Sequence, residues 1–253
     1  GLTYKAAKLI TSFGSQEQID SYVPKMLNGE WQGTMALTEP DAGSSLGDIV
    51  TTATPTDDGY YKMQGRKIFI SAGDHDGVDN VVQMTLAKID GAPAGVRGIS
   101  MFIVPNKRIA ENGALESNDV VISQVYHKMG YRGAPIVELS IGEKEDCRGW
   151  LVGEPNQGLS YMFQMINGSR ISIGLAATGI SSAAYYASLG YSRERLQGRI
   201  DSDPTKPQVP IIEHADIKRL LLFQRAFVEG AFALLMQCCK YADLDIALEG
   251  EEA

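Results

Sequence analysis

The sequence predicts an α+β fold, with a mainly antiparallel sheet in the middle of the chain and helices on either side. Three observations carry this. Apolar residues recur at helical spacing only before residue 30 and after about residue 157. Between Trp31 and Cys147 the chain breaks into short β-rich runs. No helix-length segment separates those runs, so hairpins or sandwich crossings must join them.

In chain order, YKAAKLITSFG reads as a helix closed by Gly14. Ser15, with Gln18 three residues later, makes a capping-box pattern that opens a second helix over SQEQIDSYVPKMLNG. Pro24 lacks an N–H and is expected to kink or split that helix. The strand candidates follow: TTATPT, YYKMQGRKIFIS, NVVQMTLAKI, GISMFIVPN, DVVISQVYH and PIVELSIGE, punctuated by Gly, Asp, Asn and Pro. Asn156 is placed to cap a helix from Gln157 to about Arg195, and another begins near Ile211. Gly168, Gly174, Gly179 and Gly190 fall inside the first of these, at roughly 1 kcal/mol each relative to Ala. Small side chains there let a neighbouring helix or a ligand approach closely. The zones divide the chain into residues 1–30, 31–150 and 151–253. The chain opens on Gly1-Leu2-Thr3-Tyr4 without Met, and the apolar face of FVEGAFALLMQCCKYADLDIALEGEEA is still running where the sequence stops. Both features lead us to expect a piece of a longer protein.

With 253 residues and 44% hydrophobic content the chain can bury a sizeable core. A net charge of −8, with no dense run of Lys or Arg, argues against a nucleic-acid surface. Cys147, Cys238 and Cys239 show no CxxC spacing, which suggests reduced thiols and a cytoplasmic setting. His75, His127 and His214 stand far apart without ligand spacing, so no metal site is expected. No uninterrupted apolar run approaches the length of a membrane span, and no membrane association is expected.

Two loops at predicted strand ends hold the candidate binding chemistry. In MALTEPDAGSS, Glu39-Pro40 forces a turn, and Gly43, Ser44 and Ser45 can bring backbone N–H groups and hydroxyls close to a ligand, although a plain surface turn has the same composition. In KIFISAGDHD, Phe69 and Ser71 are two apart and share a face of a regular strand, so an aromatic ring can stack on a ligand while a hydroxyl bonds its edge; a core Phe followed by a solvated Ser reads the same way. Neither GxGxxG nor GK[ST] occurs, which removes the common phosphate-binding turns.

ALTEPDAGSS resembles the signature of the acyl-CoA dehydrogenases, Thr-Glu-Pro followed by Ala/Cys-Gly-Ser/Thr-Asp. The similarity continues in family order through KIFISAG, HKMGYRGAPIVEL, GWLVGEPNQGLSYMFQMINGSR and YSRERLQGR. The style of APAGVRGISMFIVPN and RERLQGR is closest to the long-form branch that includes 3-methylmercaptopropionyl-CoA dehydrogenase-like enzymes. The resemblance implies the tail of a helical N-terminal domain, a whole middle β domain and the opening of a C-terminal helical bundle. FAD and an acyl-CoA thioester would be the ligands, and α,β-dehydrogenation the reaction. It further implies an electron-transfer flavoprotein as electron acceptor and a homodimer or homotetramer as assembly.

Carried over position by position, the resemblance implies that Met35, Leu37 and Thr38 line the flavin, with Thr38 bonded to its polar edge. Gly43 and Ser44 would meet the FAD phosphates and, at Ser44, the substrate arm. Phe69 takes the place often held by Trp, with Ile70 and Ser71 beside the ring system. Arg195 and Gln197 would reach the FAD of a neighbouring subunit, and Arg170 the pantetheine of CoA. Ser45 replaces the usual Asp, and the Phe of the short-form RxxFG pattern is absent after Arg195. Some members carry the catalytic Glu just before the Arg, but here that position is Ser169, which cannot accept a proton at neutral pH. Most others place it later, so the base is expected beyond Ala253. Were it inside this chain, Glu39 and Glu138 would be the first candidates. A flavin-binding relative without dehydrogenase chemistry, of alkylation-response or scaffold type, is the alternative.

Overall fold

Helix α1 (Leu2–Phe13) buries Ala6, Ala7, Leu9 and Ile10, and α2 (Gln16–Leu27) buries Tyr22, Val23 and Met26. In this computed structural model, which describes residues 1–248, the capping box of α2 is reciprocal. The Gln18 N–H donates to Ser15 Oγ at 3.2 Å, and the Ser15 N–H donates to Gln18 Oε1 at 3.1 Å. Of the two outcomes expected at Pro24, a split does not occur, and the Asn28 N–H still reaches the Pro24 carbonyl at 3.0 Å. The Asp20 carbonyl that loses its donor belongs to an exposed residue, where water can replace it.

Ten strands follow: β1 (Trp31–Ala36), β2 (Thr52–Pro55), β3 (Tyr61–Ser71), β4 (Asn80–Ile89), β5 (Ile99–Pro105), β6 (Lys107–Ile109), β7 (Leu115–Ser117), β8 (Val120–Val125), β9 (Ile136–Ile141) and β10 (Arg148–Leu151). Eight form one sheet in the order β1-β4-β5-β10-β3-β9-β8, with β2 beside β3 and β4, while β6 and β7 make a separate hairpin. The pairing is antiparallel as expected, except that β1 and β2 each run parallel to β4. Strand β5 is buried along its whole length and β4 along most of it, because the sheet has a core on each face. One joins Met84, Leu86, Met101 and Ile103 to the buried faces of α1 and α2. The other joins Ala87, Phe102 and Val104 to Met63, Ile70, Val137 and Leu139. Gly33 permits the approach of α1 to β1, since a methyl group added there would lie 2.5 Å from Ala6 Cβ.

Helix α3 (Gly158–Glu194) starts one residue later than predicted, and Asn156 does not cap it. Asn156 has φ 67°, its N–H donates to Ser100 Oγ at 2.8 Å, and its Oδ1 is buried without a partner among the described residues. Its side chain therefore satisfies none of the open amides of the first turn.

Two compact units emerge, Gly1–Ile166 and a second from Asn167 onward. The second holds the rest of α3, short 3-10 turns at Ile200–Ser202 and Ile211–Glu213, and α4 (Ala215–Ala247). At Gly174 an added methyl would lie 3.0 Å from Leu235 Cδ2, so close packing accounts for that glycine; Gly179 and Gly190 face open space. Leu222, Phe223, Phe227 and Leu234 of α4 are each 64–69% exposed. The helical span Ala215–Asp245 contains an 18-residue stretch of mean hydropathy 1.3, long and apolar enough by composition to cross a membrane. The isolated charges Arg225 and Glu229 break a stretch that is otherwise uncharged from Leu220 to Cys239, so no uninterrupted apolar run marks this helix in the sequence.

Candidate functional site

The two polar loops singled out in the sequence come together at the ends of β1 and β3. The Thr34 hydroxyl donates to the Ser71 carbonyl at 2.7 Å, and the Ile68 N–H donates to the Thr38 carbonyl at 2.8 Å. The Glu39-Pro40 turn is present as a tight pair of bonds, Glu39 N–H to Ala42 O at 2.9 Å and Ala42 N–H to Glu39 O at 3.2 Å. Gly43 and Ser44 follow, both exposed, and a methyl on Gly43 would touch Thr38 Cγ2 at 3.7 Å. Met35, Leu37 and Thr38 are half-buried along the same edge.

A buried ion pair fixes the first loop. Lys67 of β3 is fully buried and donates from Nζ to the Leu37 carbonyl at 3.0 Å and to Glu39 Oε1 at 2.8 Å. Glu39 also accepts from the Val50 N–H at 2.6 Å, the Thr51 N–H at 3.1 Å and the Thr51 hydroxyl at 2.5 Å. Burial alone would raise the Glu39 carboxyl, but the Lys67 charge and these donors outweigh it and hold the group below its ordinary range. Gly65 belongs to this arrangement, since an added Cβ would lie 2.7 Å from Thr51 Cβ.

The second loop departs from a regular strand. The register of β3 against β9 shifts between Lys67 and Ile70, and Phe69 sits at φ 59°. The simple alternation that put Phe69 and Ser71 on one face is therefore interrupted by a bulge. Ile70 is buried, whereas Phe69 is 59% exposed and Ser71 half-buried. Such a backbone costs on the order of 1–3 kcal/mol in a non-glycine residue and persists where the surroundings impose it. Ala72, at φ 47°, is held from the other side. The Gly77 N–H bonds His75 Nδ1 at 3.1 Å, His75 Nε2 meets Gln32 Oε1 at 2.9 Å, and Gln32 Nε2 donates to the Ala72 carbonyl at 2.8 Å. Donation to Nδ1 assigns the ring proton to Nε2.

A flavin needs a stacking face, donors or acceptors along its edge, and room for phosphates. The exposed Phe69 ring, the exposed Gly43-Ser44 backbone and the hydroxyls of Thr38, Ser44 and Ser71, none of which bonds a side chain or backbone group among the described residues, fit those needs. Gly43-Ser44-Ser45-Leu46-Gly47 also has the G-x-S-x-G spacing of a nucleophile elbow. It leads from a loop into a 3-10 turn at Leu46–Asp48 rather than from a strand into a long helix, so the spacing has no catalytic setting here.

Sequence reasoning missed the supporting network of Lys67, Thr51, Gln32 and His75, and a second one around Glu138. Lys67 left one signal, a charge at an inward position of an alternating strand. Glu138, buried on β9, accepts from Ser123 Oγ at 2.8 Å, Tyr126 OH at 2.9 Å and Arg66 Nε at 2.5 Å. All the oxygens of Glu39 and Glu138 are thus committed to structural bonds.

The remaining predicted residues lie in the second unit. Arg170 is exposed on α3 and bonds Asn167 Oδ1 at 2.9 Å. Arg195 and Gln197 are exposed just after α3, with their backbones pinned. The Gln197 N–H donates to Val209 O at 3.0 Å, the Ile211 N–H to Arg195 O at 2.8 Å, and His214 Nε2 lies 2.7 Å from the Gln197 carbonyl. Their side chains are presented outward by a fixed loop.

Residues 34–143 match the model of the acyl-CoA dehydrogenase middle domain. The chain is 41% identical over 258 aligned positions to a butyryl-CoA dehydrogenase of Syntrophomonas wolfei, covering 99% of this chain and 42% of that protein. It is 40% identical over 252 positions to 3-methylmercaptopropionyl-CoA dehydrogenase of Ruegeria pomeroyi, again 99% of this chain and 42% of the relative. Among solved structures, butyryl-CoA dehydrogenase from Megasphaera elsdenii superposes with a TM-score of 0.72 at 26% identity, over 94% of this chain and 58% of that one. The chain thus spans under half the length of these two curated relatives, and it belongs to the acyl-CoA dehydrogenase family.

Proposed function

We propose that the two loops cradle the isoalloxazine of FAD, and that the protein dehydrogenates an acyl-CoA thioester at its α and β carbons. The observation that carries this reading is the exposed Phe69 ring, held at a left-handed backbone angle beside the uncommitted hydroxyls of Thr38 and Ser71. Bound FAD would supply the redox chemistry by accepting a hydride. The chain's own residues bind and orient: Phe69 stacks, Thr38 and Ser71 bond the ring edge, Met35, Leu37 and Ile70 exclude water beside it, and Gly43 and Ser44 receive phosphate and the substrate arm. Arg170 serves the pantetheine of the substrate, and Arg195 and Gln197 serve the FAD of a neighbouring subunit in a homodimer or homotetramer. An electron-transfer flavoprotein takes the electrons onward, in the cytoplasm.

With Ser169 at one family position for the base, and with Glu39 and Glu138 committed elsewhere, the proton-abstracting carboxylate lies outside these residues. The 253-residue chain alone is accordingly expected to be inactive, since loss of a positioned base costs about 10²-fold or more. The test is an absorbance spectrum of the purified full-length protein followed by anaerobic addition of a panel of acyl-CoAs. A flavin band bleached by at least one thioester supports the reading. A flavin band that none of them bleaches favours a flavin-binding relative without this chemistry, and a colourless protein that takes up no FAD contradicts the reading.

A further inference from the structure

Glu138 marks a place where the sheet is irregular on both sides. Strand β3 bulges between Lys67 and Ile70, which pair with Leu139 and Val137, so Glu138 faces the bulge. Strand β8 shifts register between Ile122 and Gln124, which pair with Leu139 and Glu138 on the other edge. One buried carboxylate, 3% exposed, therefore stands between two distorted strands. Its oxygens gather Arg66 from β3, Ser123 from the shifted stretch of β8, and Tyr126 from just beyond β8. Burial by itself would raise the Glu138 carboxyl, but the bonds from Ser123, Tyr126 and Arg66 outweigh it and hold the group ionised. Burial and the Glu138 charge push the Tyr126 phenol up, which keeps its proton in place as donor. The Tyr126 ring then meets Phe69, with ring centroids 4.8 Å apart and planes inclined at 40°. No other aromatic ring contacts Phe69 among the described residues.

Resting on the flavin reading above, we propose that Tyr126 is a positioning residue: its ring, anchored through the hydroxyl to Glu138, sets the angle at which the Phe69 ring is offered to the cofactor. Without the anchor, an exposed phenylalanine on a bulge is free to turn about χ1 and χ2, and a stacked ligand must order it on binding.

The test uses the full-length protein and FAD itself. Tyr126→Phe keeps the ring and removes the hydroxyl, and is expected to weaken FAD binding by about three- to tenfold, the range spanned by aromatic pairs. In a Phe69→Ala background the same change should alter affinity by less than about twofold, because the residue acted upon is gone. Glu138→Gln, which retains the shape and one acceptor, should reproduce the Tyr126→Phe effect in part. Equal effects in both backgrounds, or no effect in the wild type, overturn the proposal. A separate readout needs no cofactor. In the apo protein, the ring resonances of isotopically labelled Phe69 should shift in Tyr126→Phe, and unmoved resonances would also overturn it. If Phe69→Ala leaves FAD affinity untouched, the flavin reading fails on its own account, and the resonances alone judge the clamp.

Discussion

Lys67 Nζ stands 2.8 Å from Glu39 Oε1, with side-chain exposures of 0% and 2%. Two charges this far from water are seldom a gain over an apolar pair, yet removing one partner strands the other, at about 3–5 kcal/mol. Lys67→Met should therefore destabilise the protein by about that amount in urea titration, and Glu39→Gln should also destabilise it. The double variant should cost clearly less than the sum of the two. Additive losses would mean that the two side chains act independently.

Acid should act through the same loops. Glu39 and Glu138 are both held below the ordinary carboxylate range, by Lys67 and its companion donors in one case and by Ser123, Tyr126 and Arg66 in the other. A carboxyl depressed in the folded state binds its proton later than in the unfolded chain. Its stabilisation is fully present above the ordinary value of about 4.3 and disappears as pH falls through the folded value. The urea midpoint should hold level above about pH 5 and fall steeply below about pH 4, with the fall smaller in Glu138→Gln. A midpoint unchanged by acid would remove both carboxylates from the account.

The second unit supplies a prediction about the chain by itself. Phe223 and Phe227 lie on α4 with ring centroids 6.4 Å apart, 69% and 64% exposed, beside Leu222 and Leu234. A contiguous apolar surface of this kind seeks a partner. The 253-residue chain should self-associate in sedimentation velocity at micromolar concentration, and Phe223→Glu with Phe227→Lys should shift it toward monomer. Equal association in the double variant would place the sticky surface elsewhere.

Much of this was legible in the sequence where local chemistry decides. The Ser15 and Gln18 capping box, the Gly14 stop and the Glu39-Pro40 turn are all contained in short segments, and each is present as read. Asn156 was misread, and Pro24 does not split its helix, because their surroundings overrule local preference. An exposed Asp20 carbonyl makes proline tolerable in α2, and a contact with Ser100, 56 residues away, draws the Asn156 backbone into a left-handed turn. The bulge at Phe69 had no local signature either. It faces a carboxylate 69 positions later whose partners come from β3 and from β8 and its continuation. The last residues of the final segment, 249–253, lie outside the described residues.

The central claim is that Leu37–Ser45 and Ile68–Gly73 close on one flavin. Hydrogen exchange of the full-length protein, with and without FAD, tests it by locating the site directly. Slower exchange on adding FAD is expected for the amides of Gly43 and Ser44, which have no partner among the described residues, and for those of Phe69 and Ser71 at the bulged end of β3. The Ile68 amide, already bonded to the Thr38 carbonyl at 2.8 Å, should change less. Binding of FAD that leaves both loops exchanging as before, and slows other amides instead, would contradict the assignment.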